Sequence, residues 1–225
     1  MTTEVIAKQE FLEQAEHTLL KPDATWNDLE NFLVDADGIG VTRVCISPTF
    51  VSQARTWINE NLKTPLSLVT VVGFPSGAHE AEIKAQEANT AVTNGADEID
   101  MVINRANIES EDALTDEIRT VKEACGKAAL KVIFETAALN DEQIVRACRA
   151  ATRAGADFVK TSTGFDPAGG ASVHAVELMR NNISAAMGVK ASGGIRTPEA
   201  VRELAAAGAT RFGVSGTAQI TENWT

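Results

Sequence analysis

Three times along this chain a helix-like stretch ends on a glycine and runs straight into a short apolar segment. Asn94-Gly95-Ala96-Asp97 precedes Glu98–Ile103, Ala154-Gly155-Ala156-Asp157 precedes Phe158–Ser162, and Ala207-Gly208-Ala209-Thr210 precedes Arg211–Ser215. Glycine closes a helix by taking the left-handed backbone conformation, and short runs rich in Val, Ile and Phe read as strands. Four further segments have strand character, Val41–Ser47, Leu66–Val72, Leu130–Thr136 and Val189–Ser192, with His17–Leu20 as a weaker first one. Helical patterns lie between them, among them Ala78–Thr93, Asp112–Lys127, Asp141–Ala154 and Pro198–Ala207. Asn140-Asp141 and Thr197-Pro198 read as helix starts. Strict alternation of strand and helix implies a parallel sheet. Eight such units in 225 residues leave about 28 each, close to the minimal spacing of a strand–helix–strand unit. The expected architecture is a single (β/α)8 TIM barrel spanning residues 1–225, with a short N-terminal helix. An open doubly wound sheet is the second reading, weakened because no glycine-rich nucleotide fingerprint follows a strand.

Composition narrows the partners. With 20 basic and 31 acidic residues the net charge is −11, which argues against nucleic acid, whose backbone is held by clustered Lys and Arg. Trp26, Trp57 and Trp224 form no stacking platform in sequence. A small phosphorylated substrate remains compatible, since a few backbone amides can hold it. Cys45, Cys125 and Cys148 form no CxxC pair, and His17, His79 and His174 have no ligand spacing, so neither a disulfide framework nor a metal is expected. No apolar run approaches the ~20 residues of a membrane span. The charged N-terminus lacks an apolar signal core, so a cytoplasmic location is expected.

Parallel barrels place their chemistry at the C-terminal ends of the strands. Two lysines fall there, Lys160 in Phe158–Ser162 and Lys190 in Val189–Ser192. Period-two alternation turns Val159 and Val189 toward the helices and both lysines inward. A buried ammonium is costly unless paired or deprotonated. One such lysine reads equally well as a structural ion pair, but two late in consecutive strands point to function. Lysine attacks a carbonyl only as the neutral amine, and a second ammonium nearby lowers the first pKa. Asp100, flanked by Ile99 and Met101 on the other face, also points inward and could move protons. Glu135, at the end of Leu130–Thr136, is held as a supporting carboxylate. Cys45 reads as packing.

Gly193-Gly194-Ile195-Arg196-Thr197-Pro198 leads from the seventh strand into a helix, and Gly213-Val214-Ser215-Gly216-Thr217 follows the eighth. Glycines let backbone N–H groups approach an anion, and loops seven and eight are the usual phosphate position in this fold. Thr163-Gly164-Phe165 extends the same cradle. Arg196 is either a phosphate contact or a solvated charge.

These motifs together carry a resemblance. Phe158-Val159-Lys160-Thr161-Ser162-Thr163-Gly164 and Val189-Lys190-Ala191-Ser192-Gly193-Gly194-Ile195-Arg196-Thr197 resemble the two lysine motifs of the deoxyribose-phosphate aldolase family. Glu98–Asn104 is similar to its aspartate motif, and His17-Thr18-Leu19-Leu20-Lys21-Pro22 and Val71-Val72-Gly73-Phe74-Pro75 match as well. The resemblance runs from about His17 to Gly216. It implies a class I aldolase without metal or other cofactor, which reversibly cleaves 2-deoxy-D-ribose 5-phosphate to D-glyceraldehyde 3-phosphate and acetaldehyde. Lys160 would form the Schiff base, and Lys190 and Asp100 would exchange protons. Gly164, Gly193, Gly194, Arg196, Gly213, Ser215 and Gly216 would bind substrate, with Glu16, Thr18, Cys45, Glu135 and Thr161 in support. A homo-oligomer, most simply a dimer, is expected. The chain departs from the pattern at Glu16 (usually Asp), Ser47 (usually Asn) and Val214-Ser215-Gly216-Thr217, and it has no tyrosine. The alternatives are a sugar-phosphate epimerase or isomerase on the same barrel, and a catalytically weakened barrel acting as a binding protein.

Overall fold

A computed structural model describes residues 6–224; the expectations for residues 1–5 and 225 lie outside them. Eight parallel strands close into a barrel in chain order, with β1 pairing to β8. They are β1 Ala15–Leu19, β2 Arg43–Ile46, β3 Ser67–Val72, β4 Glu98–Val102, β5 Ala129–Ile133, β6 Phe158–Lys160, β7 Gly188–Ser192 and β8 Arg211–Val214. Helix α1 (Lys8–Gln14) precedes β1, and α2 (Trp26–Ile39), α3 (Val51–Asn61), α4 (Ala81–Thr93), α5 (Glu111–Ala124), α6 (Asp141–Ala154), α7 (Val173–Asn181) and α8 (Pro198–Ala206) follow β1 to β7 in turn. A last short helix, α9 (Thr217–Glu222), follows β8. No helix among the described residues is long and apolar enough to cross a membrane.

The barrel reading therefore holds and the open sheet does not, because β1 and β8 share a register from Ala15↔Phe212 to His17↔Val214. Gly95, Gly155 and Gly208 all have positive φ, as the repeated glycines require. Asn140 and Gln143 form a capping box at α6, and Thr197 accepts from the Ala200 amide at α8; such caps contribute about 1 kcal/mol each. Differences from expectation fall at element ends. The expected strand Leu130–Thr136 stops at Ile133 because Glu135 turns into the left-handed region, φ 63. The expected helix Asp112–Lys127 stops at Ala124, ahead of Gly126 at φ 57.

The main apolar core lies in the annulus between sheet and helices, and a small second cluster, Cys45, Val69 and Val71, lies on the inner face of the barrel. Val44, Leu68, Ile99, Met101, Leu130, Val132, Val159, Val189 and Phe212 join one cluster with the helix residues Leu33, Ile58, Ile118, Ala147 and Val176. At the foot of the barrel Phe11 of α1 is fully buried and stacks on Trp224 at 5.1 Å between ring centroids. The alternate strand positions face inward, and they include Glu16, Glu98, Asp100, Lys131, Lys160, Lys190 and Arg211, all buried or nearly so. The residues that cannot join the annulus are thus gathered on the barrel axis.

Candidate active site

Asp100 sits at the centre of the axial cluster. Its Oδ2 accepts from the Lys160 ammonium at 2.8 Å and from Lys190 at 2.7 Å, and its Oδ1 accepts from Lys131 at 2.9 Å. The two lysines and the aspartate singled out in the sequence are therefore brought together, with Lys160 and Lys190 directly paired across β6 and β7. Below them Lys131 contacts Glu98 at 2.5 Å and Glu16 at 3.3 Å. Glu16 also pairs with Lys190 and accepts from Arg211 at 2.9 Å. Arg211 and Arg43 meet Glu98 at the lower rim.

The three lysines titrate differently. Burial pushes the Lys160 ammonium below the ordinary lysine range; Asp100 pulls it back and Lys190 adds to the lowering. The neighbouring ammonium thus acts in the expected direction, and removal from water adds a larger push the same way. Burial also opposes charge on Lys131 and Lys190, but Asp100 and Glu16 outweigh it and hold both above the ordinary value. Burial opposes ionisation of Asp100 too, yet Lys131, Lys160 and Lys190 together keep its carboxyl well below the usual range. Among these lysines it is Lys160 that is eased toward the neutral amine.

Lys160 also opens onto a cleft of about 650 Å³ at the C-terminal end of the barrel. Thr18, Gly164, Gly193, Gly194, Arg196, Gly213, Ser215 and Gly216, all named from the sequence, line it. Gly194 has φ +81, and a Cβ there would meet nothing within 4 Å; its backbone faces open space where an anion could approach. Gly213 lies on β8, not in the loop after it, and a Cβ there would come within 2.9 Å of the Ser192 Cβ and 3.2 Å of the Lys190 Cε. Its glycine gives Lys190 room. Lys21, Phe32 and Phe165 also line the cleft, and Phe165 meets Phe74 edge-on at 5.2 Å.

Three supporting candidates are placed away from the cleft. The Thr161 hydroxyl donates to the Ser192 carbonyl and accepts from the Ser192 amide, tying β6 to β7. Glu135 is buried, not solvated as a strand-end glutamate would be, and accepts from the Thr163 amide and hydroxyl. It thereby shapes the loop that follows Lys160. Cys45 is buried beside Val69 and Val71, and burial pushes its thiol up to about 11, so it is a poor nucleophile. Cys45, Glu16 and Asp100 have donor atoms within 4.8 Å of one another, but both carboxylates are already committed to ammonium and guanidinium groups, and a divalent cation would add charge to a crowded cationic cluster.

The sequence reading missed Lys131, although the same alternation finds it between Leu130 and Val132. It also missed Lys84 and Glu117, a second buried pair. Lys84, fully buried, donates to the carbonyls of Gly77 and Val102 and to Glu117, which accepts in turn from the Asn104 amide.

Comparison with known proteins places nearly the whole chain. The model of the DeoC/LacD family of aldolases matches residues 15–220. A deoxyribose-phosphate aldolase of Kocuria rhizophila is 50% identical over 221 residues, covering 97% of this chain and 98% of that protein. One of Corynebacterium diphtheriae is 50% identical over 218 residues, covering 96% and 97%. Among solved structures, a putative deoxyribose-phosphate aldolase from Coccidioides immitis superposes with a TM-score of 0.91 at 35% identity, covering 97% of this chain and 87% of that one. A deoxyribose phosphate aldolase from Aeropyrum pernix, described as tetrameric, gives 0.86 at 31%, covering 96% and 90%. A barrel closed in this order, with this match along nearly its whole length, belongs to the DeoC/LacD family of aldolases.

Proposed function

We propose that this chain is a class I aldolase that reversibly cleaves 2-deoxy-D-ribose 5-phosphate to D-glyceraldehyde 3-phosphate and acetaldehyde, with Lys160 as the covalent residue. The observation that carries the reading is that Lys160 alone of the three axial lysines both lines the cleft and has its pKa lowered. The neutral amine attacks the substrate aldehyde carbon, and loss of water leaves a protonated Schiff base. Removal of the C3 hydroxyl proton then breaks the C2–C3 bond, with its electrons drawn into the iminium to give an enamine. Glyceraldehyde 3-phosphate departs. Protonation of the enamine carbon and hydrolysis release acetaldehyde and free the lysine.

Asp100 and Lys190 touch Lys160 directly or through a shared oxygen and serve proton transfer. The phosphate is held by backbone amides around Gly193, Gly194, Ser215 and Gly216, with Arg196 at the rim. The iminium already supplies the electron sink, so no metal or other cofactor is needed and chelation leaves turnover intact. The enzyme acts in the cytoplasm as a homo-oligomer.

The test is trapping. Acetaldehyde is added, the protein is reduced with borohydride, and the modified peptide is mapped by mass spectrometry. The expected adduct lies on Lys160; an adduct mainly on Lys190, or on no lysine, rejects the assignment.

A further inference from the structure

Lys131 lies one strand from Asp100, directly across from it in the β4–β5 register, and is fully buried on the barrel axis. It does not line the cleft, and its ammonium is engaged by Asp100, Glu98 and Glu16. We propose that Lys131 is a positioning residue that occupies one oxygen of Asp100 and so keeps Asp100 from holding the Lys160 proton; this rests on the reading of Lys160 as the Schiff-base lysine.

The groups facing Lys160 set the balance. They are Glu16 from β1, Cys45 from β2, Asp100 and Glu98 from β4, Lys131 from β5, Lys190 from β7 and Arg211 from β8, with Arg43 at the lower rim. Inside the barrel Lys131, Lys160, Lys190 and Arg211, with Arg43 at the rim, face the three carboxylates of Glu16, Glu98 and Asp100. A cluster with more cations than carboxylates sheds a proton from its most weakly paired lysine. Lys131 touches three carboxylates and Lys190 touches two. Lys160 has Asp100 alone, and shares that oxygen with Lys190. The proton therefore leaves Lys160. Without Lys131 the surplus of cations shrinks by one, Asp100 loses its Oδ1 donor, and Lys160 is stabilised as the ammonium. The directions of the lysine shifts agree, Lys160 down and Lys131 up.

The experiment is borohydride trapping of acetaldehyde on Lys160 after equilibration across a pH series, in the unmodified protein and in Lys131→Met and Lys131→Arg. Lys131→Met is expected to move the midpoint of adduct formation up by about one pH unit, the scale of a nearby charge. Turnover near neutral pH falls about tenfold and recovers at alkaline pH, whereas Lys131→Arg, which keeps the charge, restores the midpoint. A merely structural lysine would lower thermal stability without moving the midpoint, and an unmoved midpoint in folded Lys131→Met overturns the proposal. If that variant does not fold, lysine 13Cε shifts of the unmodified protein are titrated instead. Lys160 losing its proton while Lys131 keeps its own supports the assignment, and Lys131 titrating first overturns it. Absence of any adduct on Lys160 in the unmodified protein rejects the Schiff-base reading itself, a result distinct from an unmoved midpoint.

Discussion

Two sets of buried lysines in this protein meet their charge in opposite ways. Lys84 lies outside the barrel, under the loop between β3 and α4, where one ammonium meets one carboxylate and two carbonyls. Every donor is used, and no cleft reaches it among the cavities described. On the axis three lysines converge on the two oxygens of Asp100. The carboxyls show the same contrast. Burial outweighs the pull of Lys84 and raises Glu117, while on the axis the cations outweigh burial and hold Glu98 at about 2. Burial of a lysine is thus no mark of chemistry by itself. What separates the axial set is a surplus of cations and one member open to the cleft.

The largest expected effect tests that separation directly. Lys160→Met should lower kcat by on the order of 10⁴-fold or more, the scale for loss of a covalent catalytic group, with the fold intact by circular dichroism. Lys84→Met should leave the trapping midpoint where it was and instead lose about 3–5 kcal/mol of stability, because it strands Glu117 without its cation; denaturant unfolding reads that loss. A strong fall in kcat with unchanged stability for Lys84→Met would break the contrast.

Acid should separate the two regions by sign. Unfolded Glu98 takes a proton near 4.5 and folded Glu98 only near 2. Its contribution is therefore whole above pH 4.5 and lost as pH falls toward 2, about 3 kcal/mol in all. Glu117 is raised, so the folded state takes up its proton first and stability gains as pH falls toward the ordinary carboxylate range. Unfolding free energies measured from pH 7 to 3 should show a shallower acid loss in Glu98→Gln and a steeper one in Glu117→Gln. Slopes altered in the same direction would mean the two carboxylates do not differ as described.

The smallest effect sharpens the axial side. Lys190→Leu removes a like charge and leaves Asp100 Oδ2 to Lys160 alone, and both changes raise the Lys160 pKa. The trapping midpoint should move up by about one to two pH units, each worth about 1.4 kcal/mol. An unchanged pH profile would show Lys190 to be only a structural counter-ion.

The sequence carried the barrel because its punctuation is local. Gly95, Gly155 and Gly208 each need only their own backbone to take positive φ, and the strands that follow are apolar on the face that packs the annulus. Lys160, Lys190 and Asp100 were legible for the same reason, Asp100 standing between Ile99 and Met101, Lys190 between Val189 and Ala191, and Lys160 after Val159. Lys131 obeys the same rule, but as the second residue of the expected strand Leu130–Thr136 it looks like any solvated lysine until the β4–β5 register sets it level with Asp100. Lys84 defeats the pattern outright. Hydrophobicity would bury Ile83 and expose Lys84, whereas Ile83 is 55% exposed and Lys84 is 0%. Nothing local to α4 announces the Glu117 carboxylate waiting on α5 or the carbonyls of Gly77 and Val102.

The crowding at Gly213 has a consequence for how this enzyme could be reshaped. A single added methyl there would press on Ser192 and on the Lys190 side chain, so the barrel wall beside that lysine offers no site for enlargement. Any lineage, natural or selected in the laboratory, that seeks a bulkier or smaller substrate must take its variation from the rim, where Phe165 is 48% exposed and meets Phe74 edge-on. Acceptance of new aldehydes is therefore expected to evolve through the mouth of the cleft while the wall around Lys190 stays invariant.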